Sequence, residues 1–172
     1  MIVNGYTIEP NANLASADLS HANLVDVDLS GANLSGANLT QTKLSYADLT
    51  GANLTGADLS HANLQGVGLS GANLTGVKLH YVNLRGADLT GANLSAADLF
   101  GTDLIDANLT DANLTEANLT RARIYAADLS HANLTDANLN DANLTDAKRL
   151  GAKRLGANLF GVIRRVLQTL NR

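Results

Sequence analysis

The stretch GANLSGANLTQTKLSYADLTGANL, residues 31–54, decides the fold, because Leu34, Leu39, Leu44, Leu49 and Leu54 fall at every fifth position. The spacing extends unbroken from Leu14 to Leu144, with Ile124 as the one aliphatic substitute. Two residues before each leucine stands a small residue, usually alanine, with Val27, Val67, Val77 and Val82 or Thr42 and Thr102 as the variants. The unit is A-(N/D)-L-x-x, and an internal repeat this regular takes precedence over every other signal.

A five-residue period suits neither a straight helix nor a flat strand. On an α-helix five residues advance the side chain by about 140°, so successive leucines would spread around the axis. On a flat strand the odd period would send alternate leucines to opposite faces. A chain that turns a corner once per unit avoids both outcomes. It keeps the leucine and the small residue two before it inside, and turns the Asn or Asp and the last two residues outward. Glycine in the last place, as at Gly31, Gly36, Gly51 and Gly56, suits a tight turn.

The number of sides follows from the outward residues. Asn13, Asn33, Asn53, Asn73, Asn93, Asn113 and Asn133 form an unbroken series at intervals of twenty, whereas the three interleaved series mix Asn with Asp, Lys, Arg or Gly. Twenty residues therefore make one coil of four sides. The expected fold is an all-β solenoid, and about seven coils at a strand spacing of about 4.8 Å give a rod about 32 Å long.

On these A-(N/D)-L triplets the chain resembles the pentapeptide-repeat family from Ala12 to about Asp146. The resemblance implies a right-handed quadrilateral (four-sided) β-helix with the leucine and the preceding alanine inward. The pattern lapses in the units A-K-R-L-G at 147–151 and 152–156, where Arg149 and Arg154 take the leucine slots. The expected organisation is a cap over 1–11, a β-helix over 12–146, and a basic segment over 147–172.

Both ends of an open solenoid need covering, because they expose core and strand edges. At the start, Ile2, Val3, Tyr6 and Ile8 flank an Asn4-Gly5 turn signal, and Pro10 separates this cap from the first coil. At the end, Phe160, Ile163, Leu167 and Leu170 share one helical face opposite Arg164 and Arg165, which predicts a short α-helical cap over about 160–170. That helix is read first as a lid on the last coil. A homodimer contact between two such tails is the alternative.

Composition excludes several classes of function. Without cysteine there is no disulfide framework, thiolate metal site or cysteine nucleophile. No stretch approaches the ~20 apolar residues needed to span a bilayer, and Met1 to Pro10 carries no export signal, so a soluble cytoplasmic protein is expected. The net charge of −4 conceals a division. From Asp18 to Asp146, fifteen acids face only Lys43, Lys78, Arg85, Arg121 and Arg123, while the segment from Ala147 to Arg172 has seven cations and no acid.

All five cations of the body fall on the second and third faces, with Tyr46, Tyr81, Phe100 and Tyr125 and with His21, His61 and His80. The candidate partner-binding surface is therefore Lys43, Tyr46, His61, Lys78, His80, Tyr81, Arg85, Phe100, Arg121, Arg123 and Tyr125. By contrast the first face, and the fourth outside its turns, carry almost only Asn, Asp, Ser and Thr. A repeat kept only for folding has no need of the bulkier side chains.

No catalytic, cofactor or metal site is expected. His21 and His61 share a column with Gln41 between them, about 9.6 Å apart, too far to share one ion. Asp28, Asp48, Asp88 and Asp128 line a column of the fourth face, but exposed acids on a convex rod lack the cleft that tunes an acid–base pair. The N-L-S and N-L-T tripeptides are by-products of the repeat. The leading expectation is a non-enzymatic protein that binds another protein, without direct nucleic-acid or membrane binding. Some members of the resembled family bind DNA gyrase by mimicking duplex DNA, which implies an alternative suited to the acidic body. A third reading takes the Asn and Ser/Thr ladders of the first face as an ice- or water-ordering surface.

Overall fold

The computed structural model describes residues 1–160, and the expected helix beyond Phe160 lies outside them. Its backbone is set by one local event repeated every five residues. The Ala37 N–H donates to the Leu34 carbonyl at 3.0 Å, closing a turn over Leu34 to Ala37 whose third residue, Gly36, has φ +64°. A turn of this kind requires positive φ at that place, which explains glycine there. The Asn or Asp before each leucine tightens the same corner: the Ser35 amide donates to Asn33 Oδ1 at 3.2 Å, and Thr55 Oγ1 donates to Asn53 Oδ1 at 2.7 Å. This side-chain turn is the physical reason the repeat specifies Asn or Asp at that position.

Between corners the chain pairs in parallel with the chain twenty residues on. Four bridge columns follow one another at intervals of five, beginning at Asn13, Asp18, Asn23 and Asp28 and partnered by Asn33, Asn38, Lys43 and Asp48. Each column is held by backbone bonds such as Leu34 N–H to Asn53 O at 2.7 Å and Asn33 N–H to Ala12 O at 2.9 Å. Leucines and alanines point inward and form one continuous core from Ile8 to Ala147. Thr42 and Thr102, in alanine slots, are buried, and their hydroxyls donate to Leu39 O and Leu79 O at 2.7 and 2.6 Å, so burying a hydroxyl leaves no polar group unpaired.

The N-terminal cap is a hairpin of β1 (Ile2–Val3) and β2 (Tyr6–Thr7), antiparallel with Ile2 opposite Thr7 and Val3 opposite Tyr6. Asn4 (φ 51°) and Gly5 (φ 84°) make its two-residue turn, as the Asn-Gly signal requires. Ile8 is buried against the first coil, and Asn4 Nδ2 donates to Asp18 O at 3.2 Å.

The other end departs from the expected boundary at 146. The ladder runs on through Lys148, Lys153 and Asn158, paired with Asp128, Asn133 and Asn138. The bonds that define register are backbone bonds, here Lys148 N–H to Ala127 O and Lys153 N–H to Ala132 O, both at 2.9 Å, and they do not need a leucine. The leucines of A-K-R-L-G stand one place late, so Leu150 and Leu155 point outward and are 76% and 81% exposed. No helix among the described residues is long and apolar enough to cross a membrane.

Candidate partner-binding surface

The residue that closes each unit stands at a corner with positive φ, and in this chain the corners of the second and third faces carry large side chains. Tyr46 (φ 60°), His61 (φ 62°), Tyr81 (φ 53°) and Arg121 (φ 59°) occupy the position that glycine fills at Gly66, Gly86 and Gly101. An L-residue with a Cβ in this left-handed conformation costs about 1–2 kcal/mol, a cost glycine does not carry.

Stacking recovers part of that cost. The Tyr81 ring lies across the glycine twenty residues on: a Cβ at Gly101 would stand 2.7 Å from Tyr81 Cε1. The Tyr46 ring lies in the same way across Gly66. On its other side Tyr81 stacks on His61, ring centroids 5.7 Å apart and 9° from parallel. Phe100 meets Tyr81 edge-on at 5.5 Å and His80 at 6.4 Å, and the Arg121 guanidinium stands over the Phe100 ring at 5.8 Å. Such ring pairs and cation–π contacts are worth roughly 0.5–1.5 kcal/mol each. His80 Nε2 is hydrogen-bonded to Asp98 Oδ2 at 2.6 Å.

Beside this cluster, Arg85 and Arg123 converge on one carboxylate. Their Nη1 atoms lie 3.3 and 2.8 Å from Asp103 Oδ2. Ile105 stands in the column between Arg85 and Tyr125 and is buried although its position faces outward. Next to it, Arg121, Ala122, Arg123, Asp141 and Asn143 line a surface depression of about 480 Å³.

The structure thus gathers His61, His80, Tyr81, Phe100 and Arg121 into one cluster, with Arg85, Arg123 and Tyr125 along its edge. The other candidates stand apart. Lys78 pairs with Asp58 at 3.3 Å, Lys43 lies in the third column between Asn23 and Asn63, and Tyr46 rests on Gly66. Sequence reasoning passed over Asp98, Asp103, Gly66 and Gly101, which hold these side chains in place. The signal for them is in the chain: an acid eighteen or twenty residues from a base, and a glycine twenty residues after a tyrosine.

Elsewhere the outward polar groups bond among themselves. On the first face Asn33 Nδ2 donates to Asn13 Oδ1 at 3.2 Å and Asn113 Nδ2 to Asn93 Oδ1 at 3.0 Å. The carboxyls of Asp18, Asp28 and Asp128 are held below the ordinary aspartate value, chiefly by the hydroxyl and then the amide of the serine two residues on. For Asp58 burial pushes the other way, and Ser60 together with Lys78 outweighs it. These acids act in turns. Among the described residues no group of three His, Asp or Glu side chains could hold a metal ion.

A family model for pentapeptide repeats matches the chain in eight copies, over 32–67, 52–91, 69–104, 92–130 and 125–163. Among solved structures the chain is similar to HetL, a pentapeptide repeat protein involved in heterocyst differentiation regulation in the cyanobacterium Nostoc sp. strain PCC 7120. The identity is 34% over 87% of this chain and 84% of that one, with a TM-score of 0.46. A pentapeptide repeat protein of the Arabidopsis thaliana thylakoid lumen is 36% identical over 69% of each chain, also with a TM-score of 0.46. QnrB1, a plasmid-mediated fluoroquinolone resistance protein, is 19% identical over 99% of this chain and 93% of its own, with a TM-score of 0.46. A search of curated proteins gave no significant match. The chain belongs to the pentapeptide-repeat family.

Proposed function

We propose, with membership of the pentapeptide-repeat family as the premise, that this protein is a non-enzymatic interaction module. Its right-handed quadrilateral β-helix of about seven coils presents the second and third faces to a protein partner. The observation that carries the reading is the strain at the corners. Tyr46, Tyr81 and Arg121 sit at positive φ where glycine would serve the fold at lower cost, and all three lie on the faces that also hold every cation of the body. Backbone strain accepted where glycine would avoid it points to use. Tyr46 and Tyr81 are 60% and 58% exposed, and flat exposed rings beside guanidinium groups are the residue types that dominate protein interfaces.

The first face supports no second reading. Its amides and hydroxyls bond one another along and across the stack, as Asn93 Nδ2 does to Thr75 Oγ1 at 2.9 Å, so few are directed at solvent in the way an ice-ordering surface needs.

The test is affinity capture from the native cell with wild type beside the double variant Tyr46→Gly and Tyr81→Gly. Both changes relieve strained corners, so the variant should melt within a few degrees of wild type, and a partner held by wild type should be lost. Recovery of the same partners by both proteins would refute the assignment of these faces.

A further inference from the structure

We infer that the depression between Arg121 and Arg123 is a binding site for the carboxylate side chains of an extended acidic polypeptide. The inference rests on the reading of the second and third faces above, and names the chemistry of the partner.

Charge is the first argument. Arg85, Arg121 and Arg123 lie within three consecutive coils, and Arg85 and Arg123 share a single acid, Asp103. One carboxylate cannot neutralise two guanidiniums. Arg121 makes no ion pair among the described residues, since its guanidinium is turned over Phe100. Three arginines against Asp103 and Asp141 leave the patch one positive charge in excess, on a body where fifteen acids face five cations.

Geometry is the second. The depression, about 480 Å³, opens where the long arginines give way to the shorter Asp141 and Asn143 of the next coil. Its donors are held in place. Arg123 is fixed by its 2.8 Å bond to Asp103, and Arg121 by the Phe100 ring. Asn143 Oδ1 accepts from the Thr145 amide at 3.1 Å and hydroxyl at 2.7 Å, which leaves its NH2 as the group free to donate. Two arginines and one asparagine line the hollow, a donor set that matches carboxylates, and contacts to Asp103 and Phe100 restrict the arginines before binding. Asp141, which lines the depression one coil on from Arg121, is the opposing group, and it sets a limit on how many negative charges the site accepts.

The choice of polypeptide over nucleic acid follows from the surroundings. A phosphate backbone carries charge at every step and would have to cross the acidic columns on either side, within a Debye length of about 8–10 Å. A peptide places acids only where the arginines stand, and its apolar side chains have the rings of Tyr81 and Tyr125, 58% and 41% exposed, to rest on.

The experiment titrates the full chain into a fluorescein-labelled twelve-residue peptide of alternating Glu and Phe, read by anisotropy. Parallel titrations use a Lys/Phe peptide and a twelve-nucleotide single strand. The expected result is saturable binding of the Glu peptide alone, weakened at least tenfold by Arg121→Ser with Arg123→Ser, and tightened several-fold by Asp141→Asn. All three positions are exposed or at corners, and circular dichroism melting verifies that the variants fold. Glu-peptide binding that ignores the arginine changes, failure of Asp141→Asn to tighten it, or preference for the oligonucleotide would each overturn the inference. The capture experiment separates the two readings. A partner that depends on Tyr46 and Tyr81 but is indifferent to Arg121 and Arg123 sinks this site and leaves the surface standing.

Discussion

Exchanging two residue pairs in the last coil tests whether backbone or leucine sets the register of this solenoid. In the variant Arg149→Leu, Leu150→Arg, Arg154→Leu, Leu155→Arg, each leucine moves from an outward position to the inward slot above Leu129 or Leu134. Leu150 and Leu155 are 76% and 81% exposed, so little burial is lost by moving them, while Leu129 and Leu134 beneath are fully buried and supply a floor. Full burial of a leucine is worth about 1.5–3 kcal/mol. Among the described residues this coil is stacked on one side only, so the low end is used, and the pair should gain about 3 kcal/mol.

If the last coil opens on its own, 3 kcal/mol corresponds to roughly a hundredfold rise in hydrogen-exchange protection at its amides. Lys148 and Lys153, whose N–H groups bond Ala127 O and Ala132 O, are the amides to follow. If it unfolds with the body, the melting temperature should rise by about 6–12 °C, from 2–4 °C per kcal/mol in a chain of this size. Unchanged or lower protection at both amides would refute the reasoning, because it would mean that the native leucines already contribute to the core and that the chain shifts register to let them.

Three further predictions address the body. Leu94→Ala, in a fully buried slot, should cost about 2–5 kcal/mol in urea unfolding, whereas Leu155→Ala should cost less than about 0.5, and equal costs would contradict the exposure difference. The carboxyls of Asp18, Asp28, Asp58 and Asp128 titrate below their unfolded value. Their contribution is present above the unfolded value of about 3.9 and lost as pH falls through the lower folded values, so melting temperature should drop below about pH 4. Changing all four to Asn, which keeps the oxygen acceptor, should flatten that acid limb, and an unchanged limb would assign it elsewhere. Gly101→Ala places a Cβ against the Tyr81 ring at a positive-φ corner and should cost about 1–2 kcal/mol, of which Tyr81→Gly in the same chain restores a part. Strict additivity of the two changes would show that ring and glycine do not touch.

The coil was legible because its determinants are local. A leucine that must point inward every five residues, a corner that needs positive φ, and an Asx side chain that closes the turn are all properties of one unit, and repetition multiplies the signal. The hairpin cap was legible for the same reason, through Asn4-Gly5. What escaped is what depends on two coils at once. That Tyr81 lies on Gly101, that Arg85 and Arg123 share Asp103, and that Ile105 is buried at an outward position are relations across eighteen to twenty residues, visible only after the stacking is in hand. The boundary at 146 escaped for a different reason. Leucine lapses there, but leucine fills the coil, whereas backbone bonds propagate it.

That distinction bears on where function can be written in such a chain. If the ladder holds register by itself, outward positions are free to vary, and variation there carries little information taken alone. Corners are different. There the backbone is left-handed at every unit, glycine is the least costly residue, and Asn, Asp and His follow because short polar side chains tolerate the conformation. Drift at a corner should therefore lead toward those types, as it does at Asp111, Asp136 and His131. Tyr46, Tyr81 and Arg121 run against that gradient, and two of them pack on neighbouring rings, Tyr81 on His61 and Phe100 and Arg121 on Phe100. A residue that the fold disfavours and its neighbours support is better evidence of use than one that the fold merely permits: Ser16, Ala96 and Glu116 show that first-face corners also depart from glycine, but the tyrosines and the arginine at corners stand on the second and third faces.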